Sequence, residues 1–464
     1  MDVILEPRAW AERQFVTADL GDRRRTNRLV VSAAKIAAHP EKAFTQIFDW
    51  NDLRGFYRLC DKSQATLAAV MQPHWEQTRA AMRQHPLVLT LHDTTELDFS
   101  SHPSLVGMGQ IGNEGGKGFL QHNSLAVLPQ SREVLGLAYQ QLKVREPAPA
   151  GESTHQRKRR PRESDLWTEG IRASGRPPEN CCWVDVCDRG GDDYEAMRAA
   201  DDVGHQFLIR AAQNRLVFVT PQRDRQEYLL DYARSLPTQG SDTVEIPGRG
   251  GRPARTATVA LAGAAVAVPP ATGTPDRPHQ PVIDAWVVRV WEPNPPLDVA
   301  EPLEWILLSA LPAPTLADLK ERRDWYCCRW MCEVFHDIEK NGCSQEDRRF
   351  ETVERMETCL AILSVVAVRV FQLRAALEAC PEAPADQAGS TQEVQVIRRF
   401  LKHTKRAFTV REFVRGIARL GGFLGRKRDG EPGVRALWRG YQRLQDILLG
   451  FELHADVPKK RPGR

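Results

Sequence analysis

The chain's 464 residues are 42% hydrophobic, 27% charged and 7% aromatic, a globular composition that excludes disorder throughout and leaves room for two to four domains of about 150 residues each. No run reaches the roughly 18 to 20 apolar residues of a membrane helix, and the opening MDVILEPRAWAERQF lacks the apolar stretch of an export signal. A cytoplasmic protein with no membrane partner is therefore expected. Its 64 Lys and Arg against 60 Asp and Glu give a net charge of only +4, but the basic residues bunch at Arg23 to Arg25 with Arg28, Arg157 to Arg160 with Arg162, Arg426 to Arg428, and the Lys459, Lys460, Arg461, Arg464 tail. Such patches bind polyanions by counterion release even on a nearly neutral chain, and four together favour nucleic acid over an ordinary solvated face. The ten cysteines read as reduced thiols packed as small hydrophobes, because neither the cluster Cys181, Cys182, Cys187 nor the cluster Cys327, Cys328, Cys332 has the paired C-x-x-C spacing of a structural zinc site.

In chain order, helical periodicity predicts helices over 9–15, 21–39, 50–59 and 65–82, a small helical domain with basic faces. Short apolar runs then predict strands over 87–91, 124–128, 134–139, 183–187 and 206–210, with a hairpin turn at 129–132 and helices near 163–173 and 192–200. The polar, basic segment 150–162 reads as a loop. Residues 213–313 are strand-rich, with runs at 243–246, 256–262, 282–291 and 305–310, and read as a β-insertion. After Pro314 the pattern is helical to Lys340 and again over 351–377, where Leu360, Leu363, Val366, Val370, Phe371 and Leu373 form an apolar stripe. Residues 381–390 (PEAPADQAGS) read as a linker before a last helical domain.

Three carboxylates stand out. Asp93 and Asp188 each follow an apolar strand run, and ligand sites in α/β sheets lie at the carboxyl ends of strands. Glu333 lies in a stretch that reads as one continuous helix over 324–340. Tyr326, Glu333 and Lys340 are spaced seven apart there, which returns within about 20° of the same face, and Arg329 joins the stripe. A carboxylate flanked by phosphate-binding groups suits a polyanionic backbone laid across metal ions. Three converging acids are what two-metal phosphoryl transfer requires, because Mg²⁺ prefers hard oxygen ligands. Taken singly, Asp93 can equally cap a turn, Asp188 open a loop, and Glu333 pair with Arg329 on a solvated helix.

The segments LGDRRRTNRL (20–29), HDTTELDF (92–99), VCDRGGDDYEAM (186–197), RPART (252–256), PLEWILLSA (302–310), Y-x2-R-x3-E-x6-K (326–340), SVVAVRVFQLR (364–374) and ARLGGF (418–423) resemble the insertion-sequence-four family of bacterial cut-and-paste DDE transposases over nearly the whole chain. The resemblance implies an α/β multidomain protein. It comprises a helical DNA-binding domain over 1–80, an RNase H-like catalytic core over 81–380 with a β-strand-rich insertion at about 213–313, and a helical dimerisation domain over 381–464. It implies Asp93, Asp188 and Glu333 as catalytic, metal-binding residues holding two Mg²⁺ ions, with Mn²⁺ able to substitute. Tyr326, Arg329, Lys340 and Arg210 would contact DNA, and Trp305 would stack where a base is flipped out during hairpin formation. Arg23, Arg24, Arg25, Thr26 and Arg28 would recognise terminal inverted repeats. Implied partners are double-stranded DNA, both terminal repeats and target, and a second copy in a synaptic homodimer. A bacterial cytoplasmic, nucleoid-associated location follows.

Asp337 stands where related helices often carry a basic residue, and 380–395 is acidic and poorly matched. The G-x-G-x-x-G match at 107–112 follows no predicted strand, and Gly116-Lys117 lacks the rest of a P-loop, so no nucleotide cofactor is expected. Two other readings are a DNA-binding inhibitor or domesticated derivative of the same fold that no longer transposes, and a glycoside hydrolase with paired carboxylates. The second leaves Arg329, Lys340 and the basic patches without a purpose.

Overall fold

Side-chain caps set where the first helices begin in the computed structural model, which describes residues 7–455 apart from 113–114, 148, 150, 154–159, 247–253, 272–276, 297–298, 300, 380, 405–406 and 427–429. Most of the basic segment 150–162 and the basic tail thus lie outside the described residues. Helix α1 spans Pro7–Phe15; α2, Arg23–Ala38, starts where Asp22 accepts from the Arg24 N–H; α3, Trp50–Cys60, is capped by Asp49; and α4, Leu67–Met82, is capped by Thr66. Such caps satisfy amides that the first helical turn leaves unpaired. Leu29, Val30, Ala33, Ile36 and Ala37 form the buried face of α2 as expected.

The described strands β1 (Leu87–Asp98), β2 (Gly109–Ile111), β3 (Gly116–Val127), β4 (Val134–Lys143), β5 (Cys182–Cys187), β6 (Gln206–Arg210), β7 (Leu216–Phe218), β8 (Gln226–Tyr228), β9 (Gly240–Ile246), β10 (Arg255–Val268), β11 (Ile283–Trp291) and β12 (Glu304–Ser309) form one mixed sheet. Its central order is β4-β3-β1-β5-β6-β12. Strands β1, β5 and β6 are parallel, whereas β3 and β12 run antiparallel to their neighbours β1 and β6. One expectation changes. Strand β1 runs well past Leu91, because it pairs with β3 from Leu89↔Val127 to Asp98↔Gly118, so Asp93 sits within a strand and not at its end. The strands of 213–313, expected as a β-insertion, extend this same sheet beyond β6.

One sheet face packs on α9 (Val353–Ala379), and the other on α5 (Asp165–Ala173) and α6 (Tyr194–Val203). The expected stripe on α9 understates its burial. From Thr358 to Phe371 every residue is buried, the mark of a helix enclosed on all sides. Burying each large aliphatic here contributes about 1.5–3 kcal/mol.

The C-terminal unit consists of α10 (Thr391–Phe400), α11 (Val410–Leu420) and α12 (Val434–Ala455). Capping boxes Ser390 with Glu393 and Thr409 with Glu412 start the first two. Its core joins Ile397, Phe413, Ile417, Leu437, Tyr441 and Leu444 with Ala385 and Ala388. The segment expected as a linker is thus partly built into this core. Helices α11 and α12 pass so closely that a Cβ on Gly440 would lie 1.7 Å from the Ile417 carbonyl oxygen, and one on Gly421 would lie 1.8 Å from that of Ala436.

The nine cysteines among the described residues are free thiols, as expected, and Cys60, Cys187, Cys328, Cys332, Cys343 and Cys359 are buried. Among the described residues no helix is long and apolar enough to cross a membrane.

Candidate active site

Strand alternation puts the candidate residues of four neighbouring strands on one face. Leu89 and Leu91 on β1 pair in parallel with Val184 and Val186 on β5, and all four enter the same core. With a side-chain period of two, Asp93 and Asp188 follow on that face. Leu208 and Leu307 enter the same core from β6 and β12, and by the same alternation Arg210 and Trp305 project beside the acids. Asp188 lies just past β5, where its carboxylate accepts from the Gly190 N–H at 2.9 Å.

Across this face lie α7 (Leu316–Cys327) and α8 (Trp330–Asp337). The sequence predicts one continuous helix over 324–340, but it is interrupted. At Cys328 and Arg329 the backbone bonds shorten to three-residue closures, Arg329 N to Tyr326 O at 3.0 Å and Cys332 N to Arg329 O at 3.0 Å. A wider turn over Ile338–Gly342 closes with Cys343 N to Ile338 O at 2.8 Å. Each segment changes the angle per residue, so the seven-residue stripe does not form one straight ridge.

The residues therefore have different surroundings. Arg329 Nη1 stands 3.0 Å from Asp93 Oδ2, and Nη2 stands 3.7 Å from Glu333 Oε1. Glu333 is open to solvent, with 55% of its side chain exposed. Tyr326 is buried with its ring 5.1 Å from that of Trp305, and Arg210 lies beside its hydroxyl. Arg210 also donates to the Glu304 carbonyl at 3.2 Å. Lys340 is held away from this cluster by the Glu96 carbonyl and by Glu346 at 3.4 Å.

Electrostatics tie the acids together. Burial pushes the Asp93 carboxyl up to about 6, with Arg329 pulling it down and Asp188 and Glu333 pushing it further up. Burial also opposes the charge on Arg329, but Asp93 first, then Tyr326, Cys332 and Asp188, outweigh it and raise its pKa. His336, next to Asp93, is pushed down to about 3 by burial and is neutral.

Among the described residues no three His, Cys, Asp or Glu side chains stand close enough to hold a metal ion as they are; Arg329 lies between Asp93 and Glu333. The chemistry of the donors still suits a hard divalent cation, since all three offer carboxylate oxygen. Asp93 is destabilised as an anion in the way that a nearby cation relieves.

The N-terminal candidates divide by exposure. Arg23 and Arg24 are exposed, and Arg24 pairs with Asp22 at 3.0 Å. Arg25 donates to the Leu20 carbonyl and to Gln64, both at 2.9 Å, and Arg28 is paired with Asp52. Thr26 is buried, its hydroxyl donating to the Ala18 carbonyl at 2.9 Å, so its side chain serves the helix packing. Trp50, Arg54, Tyr57 and Arg58 on α3 form an exposed basic and aromatic stripe that the sequence reading passed over. Their spacing at i, i+4, i+7 and i+8 was its signal.

Both ends of the chain match transposase domains. Residues 7–65 match the transposase DNA-binding family model, and residues 365–454 match the transposase Tn5 dimerisation domain. The second match begins within α9, ahead of the boundary expected at 381. These matches support a Tn5-type transposase that binds DNA and forms a homodimer, with an N-terminal DNA-binding domain, a central mixed sheet and a C-terminal dimerisation domain.

Proposed function

We propose that the chain is a DNA transposase of the insertion-sequence-four type, close to the enzyme of the kanamycin-resistance composite transposon. It binds the terminal inverted repeats of its element, excises the element by strand cleavage through a hairpin intermediate, and joins it to target DNA. The observation that carries this reading is the Asp93, Asp188, Arg329 and Glu333 cluster, on the sheet that lies between two matched transposase domains. The strand order β4-β3-β1-β5-β6 supports an RNase H-like core for 81–380.

Asp93, Asp188 and Glu333 would hold Mg²⁺, which when bound supplies charge stabilisation to the phosphoryl oxygens and lowers the pKa of water. The remaining work belongs to the chain. Arg329 and Arg210 offset phosphate charge beside the acids, and Arg329 is held in place by Asp93. Water attacks the phosphodiester at the element's end and releases a 3′-OH. This hydroxyl attacks the opposite strand to form the hairpin, a second water opens it, and the regenerated 3′-OH attacks target DNA. Trp305, braced against Tyr326, offers a stacking surface for a base displaced as the hairpin closes.

The test is incubation of a plasmid carrying the gene's flanking DNA with Mg²⁺ and either wild type or Glu333→Ala. Double-strand breaks with hairpin ends at the element boundaries, from wild type only, are expected. A retained shift of end DNA without any cleavage would instead favour a DNA-binding inhibitor of the same fold.

A further inference from the structure

Beneath Asp93 lies a run of buried polar groups that the mechanism above does not use. Asn123 stands directly opposite Asp93 in the β1–β3 register, and His336 on α8 reaches both. Its Nε2 lies 3.1 Å from Asn123 Nδ2, and its Nδ1 lies 4.0 Å from Asp93 Oδ2. On its far side Asn123 is anchored: its Oδ1 accepts from Gln140 Nε2 at 2.7 Å, and its amide nitrogen also faces Glu339 Oε2 at 3.5 Å. Glu339 is fully buried and accepts from Gln121 Nε2 at 2.7 Å and from Ser364 Oγ at 2.8 Å.

These contacts fix a tautomer. With its oxygen committed to Gln140, Asn123 turns its N–H toward His336, so Nε2 must carry the lone pair. The neutral ring then bears its proton on Nδ1, the nitrogen that faces Asp93. The wide turn over Ile338–Gly342 serves the same arrangement. It carries Glu339 inward to this anchor while Lys340 reaches the Glu96 carbonyl.

We propose that His336 is a positioning residue for Asp93: the Glu339–Asn123 anchor sets its Nδ1–H toward the Asp93 carboxylate and so fixes the orientation in which that carboxylate takes up a divalent cation. The proposal rests on the transposase reading. Partners of this kind change metal affinity or activity by about 10–100-fold when removed.

The test uses the full chain with His336→Asn and His336→Gln. Asparagine sets its amide N–H near the place of Nδ1, whereas glutamine sets it near the place of Nε2. Mn²⁺ uptake is followed by electron paramagnetic resonance, and single-turnover nicking is measured on end DNA already bound. The expected result is that His336→Asn stays within a few-fold of wild type while His336→Gln loses about 10–100-fold in both readouts, with end-DNA binding unchanged in each. Equal behaviour of the two variants, at wild-type level or below it, overturns the proposal, since a packing role does not distinguish the two nitrogens. Should either variant melt early, ¹⁵N-imidazole NMR of the wild type decides the matter: a ring protonated on Nδ1 is expected, and one protonated on Nε2 overturns the proposal. A wild type that neither takes up Mn²⁺ nor nicks DNA overturns the transposase reading itself. A wild type that does both, beside an unimpaired His336→Gln, overturns only the role of His336.

Discussion

The guanidinium of Arg329 stands 3.0 Å from the carboxylate of Asp93, so a nearly buried acid at the centre of the candidate site is offset by a side chain of the same fold. Removing the guanidinium takes away the main counterweight to burial and to repulsion from Asp188 and Glu333, and the Asp93 pKa, already up to about 6, rises further. A carboxyl whose folded pKa exceeds its unfolded value stabilises most when protonated, and that contribution is lost as pH rises through the folded pKa. Arg329→Ala is therefore expected to cost about 1–3 kcal/mol at pH 8 and less at pH 5, with Asp93→Asn in the same chain restoring most of the loss. Urea unfolding of wild type, Arg329→Ala and the double variant at both pH values measures this.

Glu339 gives a second pH dependence. Burial pushes its carboxyl up to about 7 despite donors from Ser364, Gln121, Gln345 and Asn123. The folded state thus binds a proton that the unfolded state has released. Stability from this group is complete below about pH 4.5 and falls until about pH 7, by about 3 kcal/mol in all. Glu339→Gln should flatten this slope, and it should also unfold more easily at every pH because its NH₂ would face groups that already donate. Denaturant midpoints from pH 4.5 to 8 test it; an unchanged slope would contradict the assignment.

The crossing of α11 and α12 leaves no room for a methyl group at Gly440, 1.7 Å from the Ile417 carbonyl oxygen. Gly440→Ala should force the helices apart at a cost of about 1–3 kcal/mol. Because this pair lies within the match to the dimerisation domain, the dimer fraction in sedimentation should fall as well.

Arg24 and Arg28 sit one turn apart on α2 but are predicted to fail differently. The Arg24 side chain is 92% exposed, so Arg24→Ala should weaken end-DNA binding and reduce the slope of log affinity against log salt by about 1, with no change in melting. Arg28 is half-buried against Asp52, and Arg28→Ala should lower the melting temperature as well. Salt-dependent band shifts and thermal melts separate the two.

Much of this was legible in the sequence, and the parts that were not share a cause. Periodicity located α2 and α4, and the apolar runs located β5 and β6, because those signals are local. It placed the end of β1 at Leu91, since nothing near Asp93 reveals that Thr95, Leu97 and Asp98 have partners on β3. The straight-helix assumption put Tyr326, Arg329, Glu333 and Lys340 on one ridge, yet the bonds tighten at Arg329 and the turn widens after Asp337, and nothing local in the sequence marks either change. His336 and Glu339 went unnoticed because their partners, Asn123, Gln121 and Gln140, lie some two hundred residues earlier. A buried Glu beside a Lys looks like a solvated helix face until the fold is in view.

Single-turnover nicking of labelled end DNA by Asp93→Asn, Asp188→Asn and Glu333→Gln, each first shown to bind that DNA as wild type does, tests the three carboxylates most directly. All three should bind, and none should nick at more than about a thousandth of the wild-type rate. Nicking by any one of them at the wild-type rate would contradict the assignment of these carboxylates as one catalytic site.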